Sequence, residues 1–260
     1  MHEPETLSID INGFATRVWR KGSGPRIGFL AGFGGLPRWV PFLDRLAEAR
    51  TVIVPSLPGF PGGDRGHSVL DSHLDWVLAV RDLIDKAGLA GAELVGSSVG
   101  GAFAAELAAI WPDRVKRLAL IAPFGLFNDK DPATDPWAQR ADDVAGLMTA
   151  DPDIYRRLKE MPAGANSIDW PIEQTRAAEA AARAFWPLGN RGLARRLAHI
   201  KAPTLIIWGE QDRLMPKSYA GSLAQAIKAR TQVCYIASGG HLAELDKPDE
   251  VAAAILGFMG

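Results

Sequence analysis

The segment 94–101, Leu-Val-Gly-Ser-Ser-Val-Gly-Gly, contains one Gly-x-Ser-x-Gly frame, formed by Gly96, Ser98 and Gly100. A serine in this frame lies on a sharp turn between a strand and a helix, which presents its hydroxyl to a reacting group. The flanking positions must be glycine because the turned backbone leaves little room for side chains. Ser97 is outside the frame. The frame therefore indicates Ser98 as a nucleophile, although turns of small residues also join strands to helices without any chemical role.

A serine hydroxyl is a weak nucleophile and needs a histidine base within hydrogen-bond reach. Of the five histidines, His241 directly follows the last predicted strand and two glycines that allow close backbone approach. His2 lies in the N-terminal tail, and His199 precedes a strand instead of following one. His67 and His73 flank a loop-to-helix transition, where we expect them to be solvated, although His67 could line an entrance. The predicted base is His241; the alternative is a surface histidine that caps a helix.

The base must in turn be oriented by a carboxylate. Asp212 lies in the loop after the next-to-last predicted strand, between the other two candidates in sequence. The chain order Ser98, Asp212, His241 is the one that accompanies the Gly-x-Ser-x-Gly frame. Asp129 and Asp131, which follow the preceding strand, are the reserve acids. Asp212 could otherwise serve only to cap the next helix.

Acyl transfer also requires N–H donors for the oxyanion that develops on the substrate. Val99 supplies one backbone N–H, since it directly follows the predicted nucleophile. The second donor is expected in the loop after the third strand, where Gly32-Phe33-Gly34-Gly35 keeps side chains away from a close backbone contact. We predict that this donor is the N–H of Phe33, with Gly34 as the alternative.

Hydrophobic periodicity predicts the elements that position these residues. The chain opens with a hairpin around Asn12-Gly13, and six further strands then alternate with helices. The predicted strands cover 6–11, 14–19, 26–31, 51–54, 93–96, 117–122, 204–208 and 232–236. The predicted helices of this alternation cover 39–49, 72–87, 100–110, 216–229 and 248–258. Such an alternation indicates an α/β fold with a mostly parallel eight-stranded sheet and helices on both faces.

One long segment interrupts this alternation. Residues 128–192 show only helical patterns broken by Asp-Pro, Met-Pro and Trp-Pro steps, and the segment is too long for a loop. We therefore predict a helical cap at 128–192, inserted into a core formed by 1–127 and 193–260.

The aromatic content of the cap favours an apolar or aryl substrate over a sugar or a phosphate ester. Among its large side chains, we predict that Trp137, Leu147 and Trp186 contact the substrate. For any one of them, packing of the cap onto the sheet is the competing explanation.

Composition excludes several classes of partner. Hydrophobic residues make up 47% of the chain, and 29 basic residues balance 30 acidic ones, which gives no basis for binding nucleic acid or an anionic membrane. The single cysteine, Cys234, lies in a strand-like run and is predicted to be buried and inert. No metal-ligand spacing, cofactor motif, signal peptide or membrane-spanning run is visible. We expect a cytoplasmic protein with a small-molecule substrate and no cofactor, and a homodimer is left open.

Taken together, these motifs resemble those of α/β-hydrolase-fold enzymes, and the likeness covers nearly the whole chain. It rests on the oxyanion loop, the serine turn, and the segments 52–60, 208–212 and 240–241. The resemblance implies that Ser98, Asp212 and His241 are nucleophile, acid and base under a helical cap. Two positions depart from the family pattern: Ala31 stands where a histidine is usual, and Ser56 where an aspartate is usual. The first departure leaves open how the oxyanion loop is braced.

The predicted function is hydrolysis of a carboxylic ester of small to medium size through an acyl-enzyme on Ser98. Relatives that this chain resembles use the same three residues to cleave C–C bonds in vinylogous diketones, which is the first alternative. A ligand-binding protein that keeps the fold for its pocket is the second. A serine nucleophile argues against haloalkane dehalogenases and epoxide hydrolases, which use an aspartate at that position.

Overall fold

A computed structural model describes residues 3–260 of the chain, so His2 lies outside the described residues. Eight strands form a single sheet in the spatial order β1-β2-β4-β3-β5-β6-β7-β8. The strands are β1 (Glu5–Ile11), β2 (Phe14–Lys21), β3 (Arg26–Leu30), β4 (Thr51–Pro55), β5 (Ala92–Ser97), β6 (Val115–Ile121), β7 (Thr204–Gly209) and β8 (Thr231–Ile236). Strand β2 is antiparallel to both of its neighbours, and the remaining pairs are parallel. The predicted mostly parallel, eight-stranded sheet is confirmed.

Helices cover both faces of the sheet. The helices are α1 (Pro41–Ala47), α2 (His73–Lys86), α3 (Ser98–Ile110), α4 (Ala141–Met148), α5 (Pro152–Lys159), α6 (Asp169–Phe185), α7 (Leu193–Arg196), α8 (Ser218–Ala226), α9 (Ala243–Asp246) and α10 (Pro248–Met259). Strands β5 and β7 lie inside the sheet and have no exposed residues, which explains the apolar run of β7 and the apolar centre of β5. Because parallel strands end at one edge of the sheet, the loops after β3, β5, β7 and β8 emerge on the same side.

Local sequence accounts for the two helices that flank the central strands. The N-cap residue of α2 is Ser72, which accepts a hydrogen bond from the backbone N–H of Asp75, and the Asp75 carboxylate accepts one from the N–H of Ser72. Helix α3 is built of small and apolar residues, and all but its last residue are buried. Most of its side chains are small, which lets the helix lie close against the sheet, and its one charged residue, Glu106, is paired with His73 and Arg196.

Residues 128–192, the segment predicted to be a cap, are all described and contain helices α4 to α6 but no strand. The segment contacts the core through aromatic side chains, and the ring of Phe185 in α6 packs 5.3 Å from that of Phe103 in α3. Within the described part of the chain, every helix is too short or too polar to cross a membrane.

Three sequence expectations about burial were wrong. His67 is only 2% exposed, and His73 pairs with the buried carboxylate of Glu106 at 2.9 Å, so neither is freely solvated. Cys234 is half-buried instead of buried, because β8 is an edge strand whose side chains are partly open to solvent. Burial nevertheless raises the pKa of the Cys234 thiol, which is consistent with an inert group.

Candidate active site

The structure brings Ser98, His241 and Asp212 together in one hydrogen-bonded chain. The Oγ atom of Ser98 lies 2.7 Å from Nε2 of His241, and Nδ1 of His241 lies 2.9 Å from Oδ2 of Asp212. Ser98 and His241 have no exposed surface, and the Asp212 side chain is only 1% exposed. An arrangement of this kind can remove the serine proton and stabilise the resulting imidazolium.

Ser98 stands at the junction between β5 and α3, in left-handed backbone conformation with φ of 50°. The tight turn around Ser98 has room only because the positions two before and two after it are glycines. A Cβ atom on Gly100 would lie 2.2 Å from the carbonyl oxygen of Leu30, and one on Gly96 would lie 2.6 Å from that of Gly100. The two glycines therefore allow the backbone crossing that exposes the serine to its base.

Asp212 is fixed by two backbone groups as well as by the histidine. Its Oδ1 atom accepts hydrogen bonds of 2.8 Å from the N–H groups of Leu214 and Met215. These bonds organise the loop after β7 but do not cap α8, which begins at Ser218. The reserve acids lie elsewhere; the carboxylate of Asp131 accepts a hydrogen bond from the hydroxyl of Ser218.

A second carboxylate, which sequence reasoning missed, holds the loop that carries His241. The carboxylate of Asp246 accepts a hydrogen bond of 2.8 Å from the N–H of Gly240 and one of 2.9 Å from the N–H of Ala150. The N–H of Leu242 donates to the carbonyl of Met148 at the end of α4. The loop that carries His241 is thus joined to the end of α4 and the segment after it by hydrogen bonds on both sides of the histidine.

The predicted oxyanion loop lies against the nucleophile. A Cβ atom on Gly32 would be 3.1 Å from the Cβ of Ser98, so a side chain there would crowd the serine. The N–H of Gly35 donates to the carbonyl of Gly32, which closes a tight turn. The N–H of Phe33 makes no hydrogen bond within the described residues, and Val99 lies in the first turn of α3, whose N–H groups have no partner within the helix. Both predicted donors remain available to an oxyanion.

A cavity of about 610 Å³ lies between the oxyanion loop and helices α4 to α6. Its walls are mostly apolar with a few polar groups, and they include Phe33, Gly34, Trp137, Val144, Tyr155, Lys159 and Gln174. Both polar atoms of the Gln174 amide are buried without a hydrogen-bond partner in the described part of the chain. A mostly apolar cavity with a few polar groups is typical of a site for a small organic ligand.

Aromatic rings separate this cavity from the serine–histidine pair. The ring of Trp137 lies 5.4 Å from that of Phe33 and 6.4 Å from that of Phe124, and Phe124 lies 5.6 Å from the ring of His241. Ser98 and His241 have no exposed surface, and neither is among the residues that line the cavity.

Of the three cap side chains predicted to contact substrate, Trp137 lines the cavity. Leu147 and Trp186 are not among the residues around it. Leu147 packs against the hydrophobic core, whereas Trp186 is 54% exposed and donates its indole N–H to the carboxylate of Asp135. The difference arises because residue type alone does not show which surface a side chain faces.

One buried carboxylate near the triad takes no part in it. Glu244 in α9 is 3% exposed, and burial raises the pKa of its carboxyl to about 7. The hydroxyl of Ser97 lies close enough to oppose this rise in part, but neither Ser97 Oγ nor Glu244 Oε2 has a hydrogen-bond partner of ordinary geometry among the described residues. Above about pH 7, the folded protein must therefore keep the charge of this carboxylate in its interior.

Exchange of Glu244 for glutamine is expected to stabilise the protein above pH 7. The folded state keeps the Glu244 proton up to about pH 7, whereas the unfolded chain loses it near the ordinary glutamate pKa of 4.5, so stability falls as pH rises between these values. The neutral amide removes this loss, worth about 3 kcal/mol. The measurement is the free energy of unfolding by urea at pH 5 and pH 8 for both proteins.

The matched control for this exchange is Glu160→Gln, because Glu160 is exposed at the end of α5. It should leave the difference between pH 5 and pH 8 unchanged. An equal pH dependence in the wild type and Glu244→Gln would show that Glu244 is not protonated preferentially in the folded state.

Comparisons with known proteins extend these observations. The family described as alpha/beta hydrolase fold matches residues 26–248. The chain is 29% identical over 264 residues to the dihydrolipoyllysine-residue acetyltransferase component of the acetoin cleaving system of Cupriavidus necator, covering 96% of this chain and 68% of the relative. It is 28% identical over 281 residues to 2-hydroxy-6-oxo-6-phenylhexa-2,4-dienoate hydrolase of Comamonas testosteroni, covering 96% and 93% of the two chains.

The fold is also similar to that of solved structures. The 2-hydroxy-6-oxo-6-phenylhexa-2,4-dienoate hydrolase of Rhodococcus sp. strain RHA1 superposes with a TM-score of 0.79 at 20% identity, over 99% of each chain. The family match spans most of the sheet and every predicted site residue. The chain therefore belongs to the α/β-hydrolase family and is a hydrolase of that fold.

Proposed function

We propose that the protein hydrolyses carboxylic esters through an acyl-enzyme on Ser98. The observation that carries this proposal is the chain of short contacts from Ser98 Oγ through His241 to Asp212. It is supported by the free N–H groups predicted to form the oxyanion hole, Phe33 and Val99. Asp212 holds the imidazole with Nδ1 protonated, so that Nε2 can accept the serine proton.

In the proposed reaction, Ser98 Oγ attacks the ester carbonyl carbon while His241 Nε2 takes the hydroxyl proton. The tetrahedral oxyanion is stabilised by the N–H groups of Phe33 and Val99, and it collapses as His241 gives its proton to the departing alkoxide. Water then attacks the acyl-enzyme, again losing its proton to His241. The proton returns to Ser98 as the carboxylic acid leaves, so no cofactor is consumed.

The cavity supports an apolar or aryl ester of small to medium size. Its mostly apolar wall would take up the hydrocarbon part of the substrate, with Trp137 and Phe33 in contact with it. The cap at 128–192 would act as a lid that keeps bulk water from the reaction. The proposed substrate is thus a small molecule, and the proposed assembly is a homodimer.

Hydrolysis of a C–C bond is the second candidate. It is favoured by the relative from Comamonas testosteroni, whose name describes a hydrolase of a phenyl-substituted hydroxy-oxo-dienoate. The match covers 93% of that relative. Such a substrate could use the same nucleophile, base and aromatic cavity. The difference between the two reactions lies in the leaving group, which is a carbanion in place of an alkoxide.

The experiment compares p-nitrophenyl butyrate with a vinylogous 1,5-diketone ring-fission product under identical conditions, and it identifies the residue labelled by a fluorophosphonate through peptide mass spectrometry. We expect ester turnover and a label on Ser98. Preferential turnover of the diketone would establish the second candidate in place of the first. An unlabelled protein that turns over neither compound would contradict both and would indicate a ligand-binding protein.

A further inference from the structure

The oxyanion loop contains two consecutive residues in the left-handed region, Gly34 with φ of 70° and Gly35 with φ of 64°. Their carbonyl oxygens both accept hydrogen bonds from Nζ of Lys159, at 2.9 Å and 3.3 Å. A Cβ atom on Gly34 would lie only 3.1 Å from this nitrogen. The loop is therefore shaped so that a lysine can approach its backbone closely.

Lys159 does not belong to the core. It is the last residue of α5, within the segment 128–192, and its side chain reaches across the cavity wall to the loop after β3. Among the described side chains, Lys159 is the one that donates to the carbonyls of Gly34 and Gly35. Ala31, which directly precedes the first glycine of the oxyanion loop, has no hydrogen-bonding side chain that could hold the loop from the core.

The contact does not depend on the charge of the lysine. Burial lowers the pKa of Lys159 to about 7, and the nearby carboxylate of Glu173 opposes this fall. The ammonium has three N–H donors and the neutral amine has two, so either form can serve both carbonyl groups.

We propose that Lys159 is a positioning residue that braces the oxyanion loop from the cap. It fixes the peptide groups that follow Phe33, and with them the direction of the Phe33 N–H. This inference rests on the proposed function, since it assigns Lys159 a role in stabilising the oxyanion formed at Ser98.

A brace of this kind acts on the transition state more than on substrate binding. The oxyanion exists only during the reaction, so loosening its donors lowers kcat while leaving KM nearly unchanged. Loss of a whole oxyanion donor costs about 10²-fold to 10³-fold in kcat, and a donor that is present but poorly aimed should cost less, about tenfold or more.

The test compares Lys159→Met, which keeps the length of the side chain but cannot donate, with Lys159→Arg, which can. For p-nitrophenyl butyrate, we expect Lys159→Met to lower kcat about tenfold or more, with KM within about threefold of wild type, and Lys159→Arg to recover most of the loss. The rate of Ser98 phosphonylation by a fluorophosphonate should fall by a similar factor, since that reaction also uses the oxyanion hole.

The matched control is Arg157→Met, since Arg157 is on the same helix but is exposed, lies outside the cavity wall, and pairs with Asp151 at 4.0 Å. It should keep kcat within about twofold. If Lys159→Met does not fold, as judged by circular dichroism, Lys159→Leu, which also cannot donate, is read by the same criteria.

The proposal is overturned if Lys159→Met keeps its kcat, if only KM changes, or if Lys159→Arg falls as far as Lys159→Met. These outcomes leave the proposed function intact, because wild type still hydrolyses the ester and is labelled on Ser98. Failure of the proposed function is distinguished by a wild type that is neither active nor labelled.

Discussion

Replacement of Ser98 by alanine is expected to lower kcat/KM for p-nitrophenyl butyrate by at least about 10³-fold. Ser98 is the only hydroxyl in hydrogen bond with His241 among the described residues, at 2.7 Å, so its loss removes the attacking atom. A small residual rate is expected because His241 can still activate water and the oxyanion donors still stabilise the tetrahedral oxyanion. The measurement is initial hydrolysis rate over a range of substrate concentrations, with phosphonylation followed in parallel.

Ser97→Ala is the matched control for this variant. Ser97 is the neighbouring buried serine, but its hydroxyl makes no hydrogen bond to His241. We expect it to keep activity within about threefold of wild type, since no reacting atom is removed. If Ser98→Ala retained most of its activity, or if Ser97→Ala lost as much, the assignment of the nucleophile would be wrong.

Exchange of Asp212 for asparagine is expected to lower kcat about 10⁴-fold with little effect on the fold. The amide oxygen can still accept the hydrogen bonds from Leu214 and Met215, so the loop after β7 keeps its shape. The amide N–H₂ would face Nδ1 of His241, which then becomes an acceptor and leaves the proton on Nε2. A protonated Nε2 cannot take the proton from Ser98. Steady-state kinetics and circular dichroism of the same preparation check both parts of this expectation.

The control is Asp131→Asn, which tests the reserve acid from the sequence. The carboxylate of Asp131 accepts a hydrogen bond from the hydroxyl of Ser218 on the protein surface. We expect its replacement to leave kcat unchanged. A larger loss in Asp131→Asn than in Asp212→Asn would mean that the acid had been assigned to the wrong loop.

The sequence was sufficient to predict the sheet and the residues that surround Ser98. The strands have strong periodic signals, and the rule that parallel strands end at one edge brings the loops that carry Asp212 and His241 to the same place. The glycines around Ser98 could also be predicted, because the turn that requires them is formed by residues adjacent in sequence. The proposed chemical roles depend on these local signals.

The contacts missed by sequence reasoning join residues far apart in the chain. Lys159 meets Gly34 across 125 positions, and Asp246 meets Ala150 across 96. A lysine or an aspartate at a helix end usually indicates a solvated surface, so nothing local distinguishes these two. His73 was misjudged for the same reason, because its partner Glu106 is 33 positions away.

The complete burial of Ser98 and His241 has a consequence for the fate of an acyl group on the serine. In an open site, bulk water outnumbers every other acceptor, and hydrolysis is the main outcome. Where the serine is shielded, less water reaches the acyl-enzyme, so an alcohol or thiol that binds in the cavity would compete better for the acyl carbon. The same burial that shields the nucleophile would therefore allow acyl transfer to a second organic molecule alongside hydrolysis.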